Sequence, residues 1–295
     1  MGKPYGELFR ELREDRGLTL NKVTGDGDIC SLQQLARFEK GESDLTISKF
    51  FSLLENIGLT LEEFEYASRG YRLDSSAQLL GEGLQLYNTN NNSGLQTLIA
   101  EQEEKGLKSK KQGLIIIMLK NMLSIIDSEV KVADEDKLKI AEHLFDISEW
   151  GHFELLLYNN TMRLLSTADI DSLSSDIMKR SFYYKEIPRN KELVMGILLN
   201  SLISMLNRGE ITKARRFEVL MRQQKMEEDD LGDRIVHLFA TGALNFHQGK
   251  TVDGKEKMQQ AIDILKILGS YHMAKSYQDD YDEITVNEQK KCDRD

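Results

Sequence analysis

The feature that most constrains this chain is a rhythm running from residue 72 almost to the end. Apolar residues recur there at helical spacing over long stretches, and each stretch closes on a short polar or glycine break. The spacing predicts helices near 72–87, 94–105, 108–125, 134–148, 151–166, 169–185, 189–208, 210–226, 230–248, 251–268 and 270–286. The breaks are residues 88–93, Gly106, the loop at 127–134, Gly151, Pro188, Gly209, Gly249 and Gly269. Only two prolines occur, Pro4 and Pro188, so long stretches are free to be helical. Helices paired in series stack as an α-solenoid of the tetratricopeptide type, which exposes a concave surface suited to an extended peptide. The expected fold class is all-α.

The first seventy residues have a different pattern. Tyr5, Leu8, Phe9 and Leu12 follow i, i+3, i+4, i+7, so residues 4–16 read as an amphipathic helix with Pro4 in its first turn and Gly17 after it. Thr19 is a candidate cap for a short helix carrying Leu20 and Val23. The segment SLQQLARFEKG at 31–41 then places Leu32, Leu35 and Phe38 on one side and Gln33, Gln34, Arg37 and Lys40 on the other. Ser31 would cap it and Gly41 end it. A fourth helix carries Ile47, Phe50, Phe51, Leu54 and Ile57. A fifth opens on a Thr60/Glu63 capping box with Leu61, Phe64 and Ala67 inward. Short helices with a polar-faced third one make a helix-turn-helix domain, whose third helix pairs with base edges and phosphates.

A length of 295 residues suits two domains, expected at 1–69 and 70–295. The net charge of −10 argues against non-specific coating of nucleic acid, and the first seventy residues are not net basic either, so the motif carries the DNA reading. Cys30 and Cys292 sit in no metal-ligand spacing and read as reduced thiols, although Cys30 adjoins the third helix, where its oxidation would displace that helix. The Gly25-Asp26-Gly27-Asp28 turn is not a calcium loop, because Arg37 stands where the loop needs its glutamate. The longest apolar runs, such as 114–119, are too short to span a bilayer, so the expectation is a cytoplasmic protein with no membrane association.

Residues 7–64, above all LARFEKGES at 35–43 followed by Ser48-Lys49-Phe50, resemble the DNA-binding end of the Rgg family of transcriptional regulators of Gram-positive bacteria, also called GadR/MutR. The family usually starts its third helix with serine-lysine-serine-glutamine. Here the start is Ser31-Leu32-Gln33-Gln34, after a turn one residue longer. The resemblance implies double-stranded operator DNA as a partner. It implies phosphate roles for Arg10 and Arg13, and base or phosphate roles for Ser31, Gln33, Gln34, Arg37 and Lys40. It also implies that Glu39 grips a first-helix arginine, expected to be Arg10, which leaves Arg13 as the better phosphate ligand.

Farther along, EWGHFEL at 149–155 through Asn160 and Arg163, and residues 249–269, are also similar to the Rgg family. Small residues around Gly242, then Gly249 and Ala261, suit closely paired helices. Asn160, Arg163 and Asn200 are polar residues on otherwise apolar helices. An asparagine can grip a peptide backbone as donor and acceptor, and an arginine can clamp a carboxylate. The resemblance implies a short hydrophobic peptide pheromone bound by these residues, and a homodimer formed partly through the C-terminal helices. No catalytic motif or metal spacing is present in the sequence, His143, His152, His237, His247 and His272 included, so no enzyme activity and no cofactor are expected. Two alternatives stand beside this reading: a helical-repeat scaffold for other proteins, and a stand-alone regulator without a peptide ligand.

Overall fold

The structure, a computed structural model, describes residues 3–107, 109–183, 187–224 and 226–292, with the side chains of Pro188 and of residues 287–292 excepted. The described residues form helices and no strand, and the chain divides into two compact units, Met1–Gly81 and Glu82–Asp295. The first unit holds α1 (Tyr5–Glu14), α2 (Leu20–Val23), α3 (Leu32–Glu39), α4 (Ile47–Asn56) and α5 (Leu61–Ser68). The division falls inside α6 (Ser75–Asn88).

The expected caps form. The Thr19 hydroxyl accepts from the Lys22 amide at 3.3 Å, that of Ser31 from the Gln34 amide at 3.2 Å, and Thr60 and Glu63 make the reciprocal box. Gly41 follows α3 at φ +73°, a left-handed conformation that glycine adopts without a Cβ penalty. Phe9, Leu35 and Leu53 are wholly buried, and the rings of Phe9, Phe38, Phe50 and Phe64 meet at centroid separations of 4.9 to 6.1 Å.

Periodicity misplaced several apolar residues of this unit. Tyr5, Leu32, Ile47 and Leu61 were expected to face inward, yet they are 64%, 43%, 68% and 47% exposed. Each is the first residue of its helix. Helical side chains lean back toward the N-terminus, so a first-turn residue reaches the edge of the core rather than its centre, as Tyr5 does in meeting Phe64 at a centroid separation of 6.0 Å. Phe51 is exposed as well, and Leu53, outside the expected stripe, takes the inward position. Pro4 caps α1 from outside rather than sitting in its first turn.

The second unit continues with α7 (Asn92–Glu104), α8 (Lys110–Ile126), α9 (Asp134–Asp146), α10 (His152–Thr161), a 3-10 turn at Met162–Leu164, α11 (Thr167–Ser175), α12 (Ile177–Arg180), α13 (Pro188–Asn207), α14 (Ile211–Arg222), α15 (Leu231–His247), α16 (Thr251–Ile267) and α17 (Tyr271–Cys292). The expected helix at 169–185 breaks at Asp176, and its last two positions lie outside the described residues, as do residue 108 of the 108–125 helix and residue 225 of the 210–226 helix.

α13 is the hub, packing on α10, α11, α14, α15 and α17. A buried hydroxyl chain ties it to its neighbours: the Tyr158 hydroxyl meets Ser174 Oγ at 2.5 Å, which meets Ser201 Oγ at 2.6 Å, and Ser201 donates to the Ile197 carbonyl. Linked polar groups of this kind fix one packing register, because any slip leaves a buried hydroxyl unpaired. Trp150 is wholly buried, and its indole N–H donates to the carbonyls of Leu144 and Ile147, as does Arg180.

The close approach expected around Gly242 is between α15 and α16, and its other half is Gly254. A Cβ on Gly242 would lie 2.8 Å from the Gly254 carbonyl oxygen, and one on Gly254 2.6 Å from the Phe246 amide nitrogen.

Candidate functional sites: the third-helix face and the C-terminal cavity

The α3 face is presented by two devices. The first is steric: Gly6 on α1 lies against the backbone of α3, where a Cβ would stand 1.8 Å from the Phe38 carbonyl oxygen. The second is ionic. Arg13 Nε donates to Glu39 Oε1 at 2.7 Å, Nη2 to Oε2 at 2.8 Å, and Nη1 to the Leu18 carbonyl at 2.7 Å. The pairing expected between Glu39 and Arg10 is therefore corrected: the glutamate holds Arg13. Helical geometry explains the swap, because Arg13 is on the buried side of α1, 7% exposed, and Arg10 is half-buried one turn earlier. A guanidinium already donating to a carboxylate and a carbonyl, with its pKa raised first by the Glu39 hydrogen bond against the cost of burial, is a scaffold group. Arg13, expected as a phosphate ligand, is thereby engaged within the protein.

On the outer side, Gln33, Arg37 and Lys40 are exposed, and Arg37 lies 4.0 Å from Glu42 in a loose, solvated pair. Ser31 caps the helix through its hydroxyl. Gln34 is half-buried and accepts from Lys49 Nζ at 2.8 Å, so Lys49, on α4, joins the face. The family resemblance assigns Lys49 no role; its contact with Gln34 crosses between helices, which periodicity along one helix does not reveal. Cys30 is buried in the core behind this face, where burial pushes its thiol pKa up against the opposing pull of Lys49. A thiol in that setting is inert to oxidation compared with an exposed one.

The second unit contains a cavity of about 1330 Å³, lined by α6, α8, α10, the 3-10 turn, α13 and α17. That exceeds the roughly 300–1,000 Å³ usual for small-molecule sites. Asn160, Arg163 and Asn200 all line it. Asn200 donates to Asn159 Oδ1 at 3.0 Å, and Asn160 donates to the Leu156 carbonyl at 2.8 Å. Arg163 is exposed and makes no ion pair or hydrogen bond among the described residues.

The residue that sequence reasoning missed is Asn121. It is 1% exposed in the apolar run of α8, and its side-chain N–H donates to the Asn160 carbonyl at 2.6 Å. A continuing α-helix would offer that carbonyl to the amide four residues on, at Leu164. Where Asn121 meets that carbonyl, α10 gives way to the 3-10 turn that carries Arg163. The available signal was a lone asparagine inside an apolar stretch.

α17 contributes Asp279, Asp280 and Glu283 to the opposite charge balance of the cavity. Burial, then Glu283 and Asp279, pushes the Asp280 carboxyl up to about 7. Among the described residues no His, Cys, Asp and Glu are grouped to hold a metal ion, and no helix is long and apolar enough to cross a membrane.

Residues 96–279 match the sequence profile of the C-terminal domain of the helix-turn-helix transcriptional regulator Rgg. Among solved structures, the chain is similar to the SHP pheromone receptor Rgg2 of Streptococcus dysgalactiae, at 25% identity and TM-score 0.76 over 95% of this chain and 99% of that one. It shares its fold with a candidate transcriptional regulator from Listeria monocytogenes EGD-e, at 21% identity and TM-score 0.80 over 98% and 99%. It also shares it with PrgX in complex with cCF10, at 15% identity and TM-score 0.72 over 97% and 93%. With the profile spanning more than half its length and the all-helical architecture in agreement, this chain belongs to the Rgg family of transcriptional regulators.

Proposed function

We propose that this regulator binds operator DNA through α3 and is switched by a short peptide held in the C-terminal cavity. In this reading residues 1–69 serve DNA and residues 70–295 serve the peptide and a homodimer contact. The dimer presents two copies of α3 to successive major grooves of a near-palindromic site. Gln33, Arg37 and Lys40 are the reading and phosphate groups, Gln34 acts with Lys49, and Arg10 takes a phosphate. Ser31 sets the N-terminal turn. Asn160, Arg163 and Asn200 receive the peptide, with Arg163 taking a carboxylate. A protein acting on chromosomal DNA works in the cytoplasm.

One observation supports the peptide half above all: three polar groups chosen from separate positions of the sequence line one cavity of peptide size, and the cation among them is unpaired. The similarity to the SHP pheromone receptor Rgg2 points the same way. The test titrates fluorescent DNA from the neighbouring promoter with the full chain at two salt concentrations. Arg37→Ala weakens specific binding by about 5- to 150-fold, the loss of one good base contact of about 1–3 kcal/mol. Binding without sequence preference and with little salt dependence supports the scaffold reading instead.

A further inference from the structure

Gln34 is held at both ends. Its backbone amide donates to Ser31 Oγ at 3.2 Å, which fixes it in the first turn of α3, and its side-chain oxygen accepts from Lys49 Nζ at 2.8 Å. The partner helix is fixed as well, because Phe50, beside Lys49 on α4, packs edge-on against Phe38 of α3 at 6.1 Å. An ammonium carries three donors and no acceptor, so only the oxygen of a glutamine amide can face it. The Gln34 amide is therefore set in one orientation, with its Nε2 group, a donor, as the free end. Lys49 pairs with no carboxylate among the described residues and keeps two further N–H donors. Both side chains are half-buried, one from each helix, and the pair they form presents donors only.

A glutamine with both ends of its amide free pairs with adenine, which offers an acceptor at N7 and a donor at N6. With its oxygen occupied, Gln34 cannot accept from that donor. Cytosine offers only a donor in the major groove, and thymine one acceptor beside a methyl group, whereas guanine offers two acceptors, N7 and O6. We infer that Gln34 and Lys49 act as one composite reader that selects guanine, the Gln34 amide and the Lys49 ammonium each donating to one of its two acceptors. This deepens the operator reading above and rests on it. The first turn of a recognition helix is the part that meets base edges, and Gln34 stands in it. Lys49 is then a specificity-determining residue: it brings one donor and, by holding the Gln34 oxygen, removes the acceptor that adenine needs. Groups already held in place lose little freedom when the base arrives.

The experiment gives the full-length protein a pool of DNA duplexes randomised over the length of two half-sites, retains the bound fraction at fixed salt and sequences it. Gln34→Ala identifies the base pair concerned, as the one in each half-site whose preference it abolishes. At that pair the wild-type chain is expected to retain guanine over adenine by about 5- to 150-fold, the discrimination of one bidentate contact. Lys49→Met keeps the length of the side chain without its donors and frees the Gln34 oxygen, so the preference at the same pair is expected to swing to adenine. Loss of a phosphate ligand would instead weaken all sequences equally. Should Lys49→Met fail to fold by circular dichroism, a selected duplex carrying 7-deazaguanine at that pair decides with the wild-type chain. A loss of affinity of about five-fold or more supports the contact, and a smaller one overturns it. A base other than guanine preferred at the pair, no pair that answers to Gln34→Ala, or a folded Lys49→Met protein without the swing to adenine overturns the composite reader and leaves operator binding standing. No sequence preference in the wild-type selection overturns the operator reading and the inference with it.

Discussion

Arg13 and Arg37 are both arginines in the same small unit, and their surroundings give them opposite jobs. Arg13 is locked bidentately to Glu39 behind α3, whereas Arg37 is solvated on its outer side. Removing one partner of a buried pair leaves the other charged and unpaired, at a cost of about 3–5 kcal/mol. Arg13→Ala and Glu39→Gln are therefore expected to destabilise by that order in urea titrations, and Arg37→Ala to stay within about 0.5 kcal/mol of wild type. Asp280 is the second residue whose setting makes a prediction. Its folded pKa of about 7 lies above the ordinary 3.8, so between those values the folded chain keeps a proton that the unfolded chain has released. Stability therefore falls as pH rises through that window. Asp280→Asn should melt higher than wild type at pH 8, by at least about 2–4 °C. The gain should shrink as pH is lowered through 7 toward the ordinary carboxylate range, and a pH-independent difference contradicts the assignment.

At the scale of elements, two contacts set how closely helices lie. Gly242 on α15 and Gly254 on α16 let two backbones touch. Alanine normally stabilises a helix interior over glycine by roughly 0.5–1 kcal/mol. Here the added methyl meets backbone, so Gly242→Ala is expected to lower the melting temperature, and a rise shows that the helices have room. The Asn121 amide meets the Asn160 carbonyl where α10 ends. Asn121→Leu removes the donor to Asn160 and should return that carbonyl to the helix, turning Arg163 away from the cavity. Peptide affinity would then fall although neither Asn160 nor Arg163 has been altered, and unchanged affinity with a folded protein refutes this positioning role.

For the whole molecule, control of DNA by a peptide is a linkage between two sites. A ligand shifts the regulator only by the difference in its affinity for two states, and the coupling is reciprocal. A peptide that changes operator affinity ten-fold must itself bind ten-fold differently when the operator is present. Calorimetric titration of a peptide that binds the cavity, with and without promoter DNA, measures this, and unequal factors mean that a third equilibrium, such as dimer dissociation, is involved.

The sequence by itself determined the all-helical class, nearly every helix of both units, and the caps at Thr19, Ser31 and Thr60, because periodicity, glycine breaks and capping are local physics. It also marked Arg163, Asn160 and Asn200 as polar residues out of place on apolar helices. Only the tertiary structure decided which arginine Glu39 holds, that Tyr5, Leu32, Ile47 and Leu61 stay exposed, and that Asn121 meets the Asn160 carbonyl at the end of α10. Each of those depends on what stands opposite a side chain from another helix. A period of 3.6 residues says which way a residue points along its own helix, but not what meets it there.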